Sequence, residues 1–380
     1  MKIYDVAVIG VGGMGSAACY HLAKAGKSVV GIDQFSIPNT RGSSHGSTRI
    51  LRLGLHESAK YVPMVLRAAQ LWDDLGAECG QSIFHRSGSL DVSLPEKPIF
   101  SGSLNACLRC DIAHEVLDGA ELHRRHPALH PEPGMMAVYQ PGSGFVIPEM
   151  AISAHVNLAI AAGAEIHGHE RMHEWEKHEG SYRITTTHGQ YRALHLVITA
   201  GAWIGKVLHA AAVPVAAERC VLGWFSTGPN SAHFAEEKLP VWIVDSEELG
   251  HFYGFPAHGI PGFKLGRLRE VPSPAVDPDL PRREVDRADE EDMRSFVREI
   301  FPGANGPVLS MESCFFENTP DRSPIIDRIP GEDSAWVVGG FSGHGFKYSS
   351  AVGEVVRDLI VRGESAFDLA PFRLSRFSPS

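Results

Sequence analysis

The sequence predicts an α/β protein with two domains, one made of parallel strands and helices and one built on an antiparallel sheet. With 380 residues, the chain is too long for one ordinary hydrophobic core. Residues 4–33 follow the order strand, glycine turn, helix, strand and acid, which is typical of a nucleotide-binding βαβ unit. Later in the chain, β-rich runs predict an antiparallel sheet. These runs are 219–227, 241–245, 251–256 and 263–268.

The first glycine-rich turn connects an apolar strand at 4–10 to a helix at 16–25. Its pattern is GxGxxG, in which the glycines permit a tight turn, the close approach of a pyrophosphate and close packing of helix on strand. The next strand, 28–32, ends at Asp33, whose carboxylate would accept hydrogen bonds from an adenosine ribose. The motif predicts a dinucleotide site without separating FAD from NAD. The expected contacts are Gly10, Gly12, Gly13, Met14, Gly15 and Asp33.

A second glycine-rich segment, 338–350, follows the apolar run 335–338 and precedes a helical pattern at 351–361. Because glycine has no Cβ, its glycines let the backbone approach a ligand closely. The start of the helix would offer free N–H groups to an electron-rich group, and Lys347 adds a positive charge beside it. We therefore expect ligand contacts here. They are Gly340, Gly343, His344, Gly345, Phe346 and Lys347.

The segment 40–52 combines glycine and hydroxyl residues with two arginines, Arg49 and Arg52, spaced for one face. A surface loop would explain the composition. It would not explain two arginines in an otherwise apolar stretch, because arginine is seldom placed in such surroundings without a partner. We predict that this segment contacts a ligand.

Composition and charge exclude several classes of protein. Lys and Arg number 35 and Asp and Glu 45, for a net charge of −10, which argues against nucleic acids and anionic membranes as partners. No apolar run reaches the ~18 residues of a membrane span. Asp5 interrupts the N-terminal apolar run, so this run is not a signal peptide. We expect a cytoplasmic protein.

The six cysteines are scattered along the chain, which is not the pattern of a disulfide framework. Cys107 and Cys110 have the spacing of a redox or zinc pair, but no second pair follows. His167 and His169 would share one strand face, yet the sequence offers no third ligand and no HExxH. No metal site is expected.

The remaining periodicity sets the domain boundaries. An alternating pattern at 83–94 predicts a pair of strands. Helices are predicted at 61–77, 103–113, 148–162 and 286–301. The first domain is then expected to comprise residues 1–82, 147–217 and 318–380, and the second domain residues 83–146 and 218–317.

Five separated motifs together resemble the monomeric sarcosine oxidase family, which includes N-methyltryptophan oxidase and L-pipecolate oxidase. The likeness covers nearly the whole chain, and the C-terminal stretch 368–377 is closest to the pipecolate and sarcosine branch. The motifs are Gly10–Gly15, Ser44-His45-Gly46 with Thr48-Arg49, Lys264-Leu265-Gly266, Cys314 with Thr319-Pro320-Asp321, and Gly340–Lys347.

The resemblance implies a glutathione-reductase-like FAD-binding Rossmann domain and a separate antiparallel-sheet (α+β) substrate domain. It implies FAD bound covalently through Cys314, and a monomer. The implied reaction oxidises a secondary-amine amino acid to an imine while O2 is reduced to H2O2. Further cofactor contacts are expected from Ser43, Ser44 and Thr48.

The family's site residues map onto this chain position by position. Arg52 and Lys347 match the pair that holds the substrate carboxylate, as two converging cations would. Lys264 matches the lysine that activates oxygen, where a cation would stabilise developing negative charge. Arg49 and His45 match residues beside the flavin, where positive charge would favour its reduced, anionic form.

Two positions depart from the sarcosine oxidase pattern. Leu268 replaces a histidine and Phe316 replaces a tyrosine, whereas Tyr253 keeps its match. Both changes remove a polar group from the expected substrate pocket. They predict a more apolar substrate than sarcosine, such as an N-methyl or cyclic amino acid.

Four alternatives stay open on the sequence. One is an oxidase of glycated amino acids, of the fructosyl-amino-acid type. A second is an FAD dehydrogenase that passes electrons to another acceptor. The others are an NAD-dependent dehydrogenase, which would be colourless, and a non-catalytic flavin-binding or redox-sensing module.

Overall fold

The computed structural model describes residues 2–208, 213–269 and 273–377. The strands are β1 (Ile3–Ile9), β2 (Val29–Ile32), β3 (Arg49–Leu51), β4 (Phe84–His85), β5 (Ser89–Ser93), β6 (Glu115–Asp118), β7 (Met136–Gln140), β8 (Gly144–Val146), β9 (Glu165–His167), β10 (Met172–His178), β11 (Ser181–Thr186), β12 (Gln190–Ile198), β13 (Ala216–Phe225), β14 (Val241–Ser246), β15 (Gly250–Phe255), β16 (Phe263–Leu268), β17 (Val308–Asn318), β18 (Ile325–Arg328) and β19 (Ala335–Gly339). The α-helices are α1 (Gly13–Lys24), α2 (Val62–Cys79), α3 (Pro98–Arg109), α4 (Gly119–Arg125), α5 (Pro148–Ala161), α6 (Ile204–Val207), α7 (Arg287–Ile300) and α8 (Ser349–Val361).

The first large sheet has a parallel centre in the order β19-β12-β1-β2-β9. The hairpin β10–β11 extends the first half of β12, and β18 pairs antiparallel with β19. Parallel strands are buried on both faces, which explains their continuous apolar runs. Helix α1 packs against α8 so closely that a Cβ at Gly353 would lie 2.5 Å from the Ala17 backbone. Only glycine fits at that crossing.

The second large sheet has the order β17-β13-β16-β15-β14-β5-β7-β6. Its neighbours are antiparallel except for the parallel pair β14–β5. Helix α7 covers it with a stripe of apolar residues that join one core with the strands. Phe296 stacks on Phe252 at 4.2 Å between ring centroids, and on Trp242 at 5.6 Å. The antiparallel runs and the helix predicted from the sequence are therefore present.

One predicted pairing is wrong. The two strands expected at 83–94 do not pair with each other. Phe84–His85 joins a small sheet of order β3-β8-β4, whereas Ser89–Ser93 lies between β14 and β7 in the second large sheet. The chain changes sheets at Gly88, where φ is +76°. Alternation marks a strand but does not choose its partner.

Other elements had no clear signal in the sequence. Strand β17 contains Ser310, Glu312 and Ser313 among its apolar residues, which hides its periodicity. The hairpin β10–β11 and the short elements β6, α4 and β7 were likewise not predicted. The domain boundaries stay a prediction. Among the described residues, no helix is both long and apolar enough to cross a bilayer.

Candidate active site

A cavity of about 740 Å³ runs from the first glycine-rich turn to the inner strands of the second large sheet. This volume is typical of a small-molecule site. Most of the residues predicted for the site line it. They are Gly10, Gly12, Gly13, Met14, Asp33, Ser43, Ser44, Arg49, Arg52, Tyr253, Leu268, Cys314, Phe316, Gly343, His344, Gly345, Phe346 and Lys347.

The nucleotide end of the cavity is formed by the junction of β1 and α1. The Asp33 carboxylate, at the end of β2, accepts hydrogen bonds from the Val11 N–H at 2.8 Å and the Phe35 N–H at 2.9 Å. Burial raises the pKa of Asp33, although these two bonds oppose the shift. A Cβ at Gly15 would lie 1.9 Å from the Gly10 carbonyl oxygen, so Gly15 serves helix–strand packing and does not line the cavity.

The residues present fit a bound FAD. A Cβ at Gly12 would meet nothing within 4 Å, so the turn is open towards the cavity. Among the described residues, several buried polar atoms on the cavity wall lack a hydrogen-bond partner, which is unusual in a folded protein. These atoms are Ser43 Oγ, Glu317 Oε2 and His344 Nδ1. A ligand with many polar atoms would satisfy them.

Two thiols meet where the resemblance places the flavin. Cys314 on β17 lies opposite Cys220 on β13, with 2.8 Å between the sulfur atoms. The hydrogen bond with Cys220, assisted by Arg49, His45 and Lys264, lowers the pKa of Cys314 below its ordinary value despite burial. This shift favours the thiolate of Cys314, which is the nucleophilic form of the residue.

Lys264 lies behind this wall and does not line the cavity. Its Nζ donates to the carbonyl oxygens of Gly46 and Thr48 and to Thr48 Oγ1, the last two at 2.8 and 2.9 Å. The Phe255 ring lies 4.2 Å from Nζ. Burial, with Arg49, lowers the pKa of Lys264 well below its ordinary value. The three oxygens nevertheless match the three donors of an ammonium group.

Three further predicted residues lie outside the cavity wall. His45 is fully buried, with Nδ1 3.6 Å from Glu312 Oε2. Thr48 holds Lys264, and Gly340 takes the positive φ of +70° that ends β19. Their roles at the cofactor stay predictions.

The other end of the cavity, where the resemblance predicts the substrate and which we call the substrate end, holds a buried network around Arg52. The guanidinium donates to Asp91 Oδ1 at 3.1 Å and to Glu57 Oε1 at 2.9 Å. Asp91, on β5, is itself held by Ser103 and Gln140 at 2.6 and 2.9 Å. Burial alone would raise the pKa of Glu57, but the charges of Arg52 and Lys347 outweigh it and hold that pKa well below its ordinary value.

Lys347 contacts the same carboxylate oxygen of Glu57 as Arg52 does. Its Nζ lies 3.3 Å from Glu57 Oε1. The Trp72 indole N–H donates to the Lys347 carbonyl at 3.2 Å, and Trp72 stacks on Phe346, so α2 fixes the position of the lysine. Burial lowers the pKa of Lys347 to about 8, although Glu57 opposes the shift.

Several polar residues of this end were not predicted from the sequence. Glu57, His56 and His251 line the cavity, and Asp91 lies behind Arg52. His251 could have been found, because it stands two residues before Tyr253 and alternate strand residues share a face. Glu57, His56 and Asp91 carry no comparable local signal.

Both of these histidines are neutral. Arg52 Nη1 lies 2.8 Å from His56 Nδ1, and since arginine only donates, this nitrogen accepts and carries no proton. Burial lowers the pKa of His56 to about 3 and, helped by Arg52, that of His251 to about 4. The pocket therefore contains uncharged polar groups beside Leu268 and Phe316, and is less apolar than the two replacements predicted.

Comparison with known proteins places these features in context. The family model for FAD dependent oxidoreductases (DAO) matches residues 5–359. The chain is 37% identical over 372 residues to monomeric sarcosine oxidase of Streptomyces avermitilis, covering 97% of this chain and 96% of the relative. It is 32% identical over 376 residues to N-methyl-L-tryptophan oxidase of Yersinia pestis, covering 98% and 99%.

Solved structures agree on the fold. L-proline dehydrogenase from P. horikoshii superposes with a TM-score of 0.85 at 21% identity, covering 99% of this chain and 98% of that one. The predicted fold class and the resemblance to the sarcosine oxidase family are confirmed.

Proposed function

Because this chain belongs to the FAD-dependent oxidoreductase (DAO) family, we propose that it oxidises a secondary-amine amino acid at a C–N bond and reduces O2 to H2O2. The amine loses two electrons and two protons in becoming an imine, and O2 takes up the same number as H2O2. The relatives are named oxidases of sarcosine and of N-methyl-L-tryptophan, and both of these compounds are secondary amines. We also propose that FAD is covalently bound and that the protein is a cytoplasmic monomer.

The observation that carries this proposal is the meeting of Arg52 and Lys347 at one carboxylate, Glu57, inside the cavity. Two cations that already hold a carboxylate oxygen can also hold the carboxylate of an amino acid. The Asp91 network fixes the direction of Arg52, and Trp72 fixes Lys347. The substrate would thereby be held in one orientation before reaction, which lowers the entropic part of the barrier.

FAD, when bound, would accept the two electrons. The turn at Gly10–Met14 and Asp33 would hold its nucleotide part, and the Cys314 thiolate would form the covalent link. The match to the family of FAD dependent oxidoreductases supports FAD as the cofactor, and so does the similarity to sarcosine oxidase and N-methyl-L-tryptophan oxidase. Lys264, with Nζ directed at the 46–48 backbone, would add positive charge close to the reacting end of the cofactor.

The pocket favours a secondary-amine amino acid that is larger than sarcosine and has an uncharged side chain. Leu268 and Phe316 offer apolar contact, and the neutral His56 and His251 offer hydrogen bonds without charge. A charged side chain would have to be desolvated there, which is costly. We propose an N-methyl amino acid with an apolar or aromatic side chain, or a cyclic amino acid.

Peroxide release from a panel of amines tests the proposal. The panel is sarcosine, N-methyl-L-leucine, N-methyl-L-tryptophan, L-proline, L-pipecolate and a fructosyl amino acid. We expect one H2O2 for each amine consumed, and a higher kcat/KM for one of the larger secondary amines than for sarcosine. Turnover with a dye but without peroxide would point to the dehydrogenase. If sarcosine had the highest kcat/KM of the panel, the proposed preference for a larger substrate would be refuted.

A further inference from the structure

A group of metal-ligand side chains lies outside the cavity. His85, Glu236 and His258 place one ligand atom each within 4.8 Å of the others. His85 Nδ1 is 3.3 Å from Glu236 Oε2, and His258 Nδ1 hydrogen-bonds the other carboxylate oxygen. In a tetrahedral zinc site, ligand atoms stand about 3.4 Å apart. The three residues come from separate parts of the chain and none of them lines the large cavity.

The backbone explains why these side chains meet. Ala235 and Ala257 form a parallel bridge, which places the next residues, Glu236 and His258, side by side. The Ala257 N–H also donates to the Phe234 carbonyl at 2.7 Å. His85 is on β4, held against β8. Hydrogen-bonded backbone next to each of the three residues therefore fixes the position of the group.

The hydrogen bonds of His85 place two hydrogen-bond acceptors opposite each other, the Nδ1 atom of His85 and the carboxylate of Glu236. Its Nε2 lies 3.2 Å from the Ser82 carbonyl oxygen, which can only accept, so Nε2 carries the proton. In a neutral imidazole Nδ1 is then an acceptor, and it faces the Glu236 carboxylate, which also only accepts. Either a proton or a metal ion has to lie between them. A histidine whose far nitrogen donates to a backbone carbonyl is the arrangement found in metal sites.

The surroundings suit a partly open site. The side chains of His85, Glu236 and His258 are 21%, 29% and 20% exposed, which leaves room for a water ligand. The Phe145 ring stacks on His85 and meets His258 edge-on, each at 4.9 Å between centroids. These contacts hold both imidazoles in place and leave their Nδ1 atoms towards Glu236.

We propose that His85, Glu236 and His258 bind one divalent transition metal of the zinc class, with water as the fourth ligand. A set of two imidazoles and one carboxylate binds such ions in preference to Mg²⁺ or Ca²⁺, which take oxygen ligands. The ion joins β4 of the small sheet to two loops of the second large sheet. Its role is structural, because the aromatic cluster of Phe145 and Phe255 stands between the ion and Lys264.

Zinc binding to the flavin-bearing, full-length protein tests this inference. The protein is freed of metal with a chelator and titrated with ZnCl2 at pH 8, where ordinary imidazoles are neutral. We expect one zinc ion per chain and a Tm that rises by several degrees with zinc, about 5 °C. Glu236→Gln and His258→Asn should each weaken zinc binding by at least about tenfold.

The matched control is His123→Asn. His123 and His130 form another close histidine pair, with 4.6 Å between ring centroids, but His123 Nδ1 is taken by the Leu129 carbonyl. This variant should bind zinc like the wild type. The inference is overturned if the wild type binds no stoichiometric zinc, if Glu236→Gln binds it equally well, or if His123→Asn loses it instead. His85→Asn replaces any variant that fails to retain flavin.

Discussion

At one end of the cavity the contacts come from a single stretch of the chain, and at the other they come from four stretches. Gly10–Met14 and Asp33 lie within one βαβ unit, and their hydrogen bonds are local. Arg52 and Glu57 share the segment after β3, whereas Asp91, His251 and Lys347 come from three other parts of the chain. The nucleotide end is thus held by backbone geometry, and the substrate end by buried charges that neutralise each other. The two ends should respond differently to substitution.

Removing Arg52 should have the largest effect. Arg52→Met leaves Asp91 buried without a cation and Glu57 with Lys347 alone. Removing one member of a buried ion pair lowers the free energy of unfolding by about 3–5 kcal/mol. Denaturant unfolding measures the loss. Arg86→Met is the control, because Arg86 pairs with Asp73 at the surface, with side chains 48% and 45% exposed. This control should change stability by less than about 1 kcal/mol; equal effects would contradict the buried network.

Adding one methyl group should separate two roles at the nucleotide end. Gly15→Ala places a Cβ against the Gly10 carbonyl, and such overpacking costs about 1–3 kcal/mol of stability. Gly12→Ala meets no protein atom within 4 Å, so it should leave the stability of the flavin-free protein unchanged and lower flavin occupancy. Thermal unfolding and the flavin-to-protein absorbance ratio distinguish them. If Gly12→Ala and Gly15→Ala lose equal stability, the two glycines do not have the separate roles in cofactor binding and in packing that we assign to them.

The pair of thiols predicts the speed of cofactor attachment. Cys220→Ala removes the donor that lowers the pKa of Cys314, so less thiolate is present at pH 7. Flavin attachment to the apo-protein should slow by about tenfold or more. The flavin that stays with acid-precipitated protein, sampled over time, gives the rate. Cys79→Ala, far from this pair, should match the wild type, and Cys314→Ser should retain no flavin. If wild-type flavin washes free, the covalent link itself is refuted.

Carboxylate binding should depend on pH through Lys347. The lysine is protonated below its pKa of about 8 and loses its charge as pH rises through that value. Acetate, which stays ionised throughout, should therefore bind with constant affinity up to about pH 7.5 and weaken by about tenfold per pH unit well above 8. Titration followed by flavin absorbance measures this. Lys347→Arg should bind acetate without this decline, because arginine keeps its charge. The same decline in both proteins would exclude Lys347 as its cause.

The smallest effect is expected in substrate preference. Leu268→His restores a polar group at the cavity wall, and one such change alters discrimination modestly. The kcat/KM ratio of sarcosine over N-methyl-L-leucine should rise about three- to tenfold. Leu108→His, at a side chain 66% exposed, is the control and should leave the ratio unchanged. A ratio that does not move would remove Leu268 from the determinants of specificity.

The sequence by itself determined the features that local geometry specifies. The glycines at 10–15, the acid at 33 and the glycines before Lys347 act through backbone shape within a few residues, so their pattern is readable in one dimension. The parallel and antiparallel sheets followed from long apolar and alternating runs. The resemblance supplied the expected roles of Arg52, Lys264 and Cys314.

Only the tertiary structure decided which charges meet. Glu57 lies five residues after Arg52 and Asp91 thirty-nine after it, and neither shows its partner in the sequence. The same holds for Cys220 beside Cys314, and for His85, Glu236 and His258. The physical reason is that electrostatic and hydrogen-bond partners are chosen by distance in space, and strand pairing brings together residues that no local pattern connects.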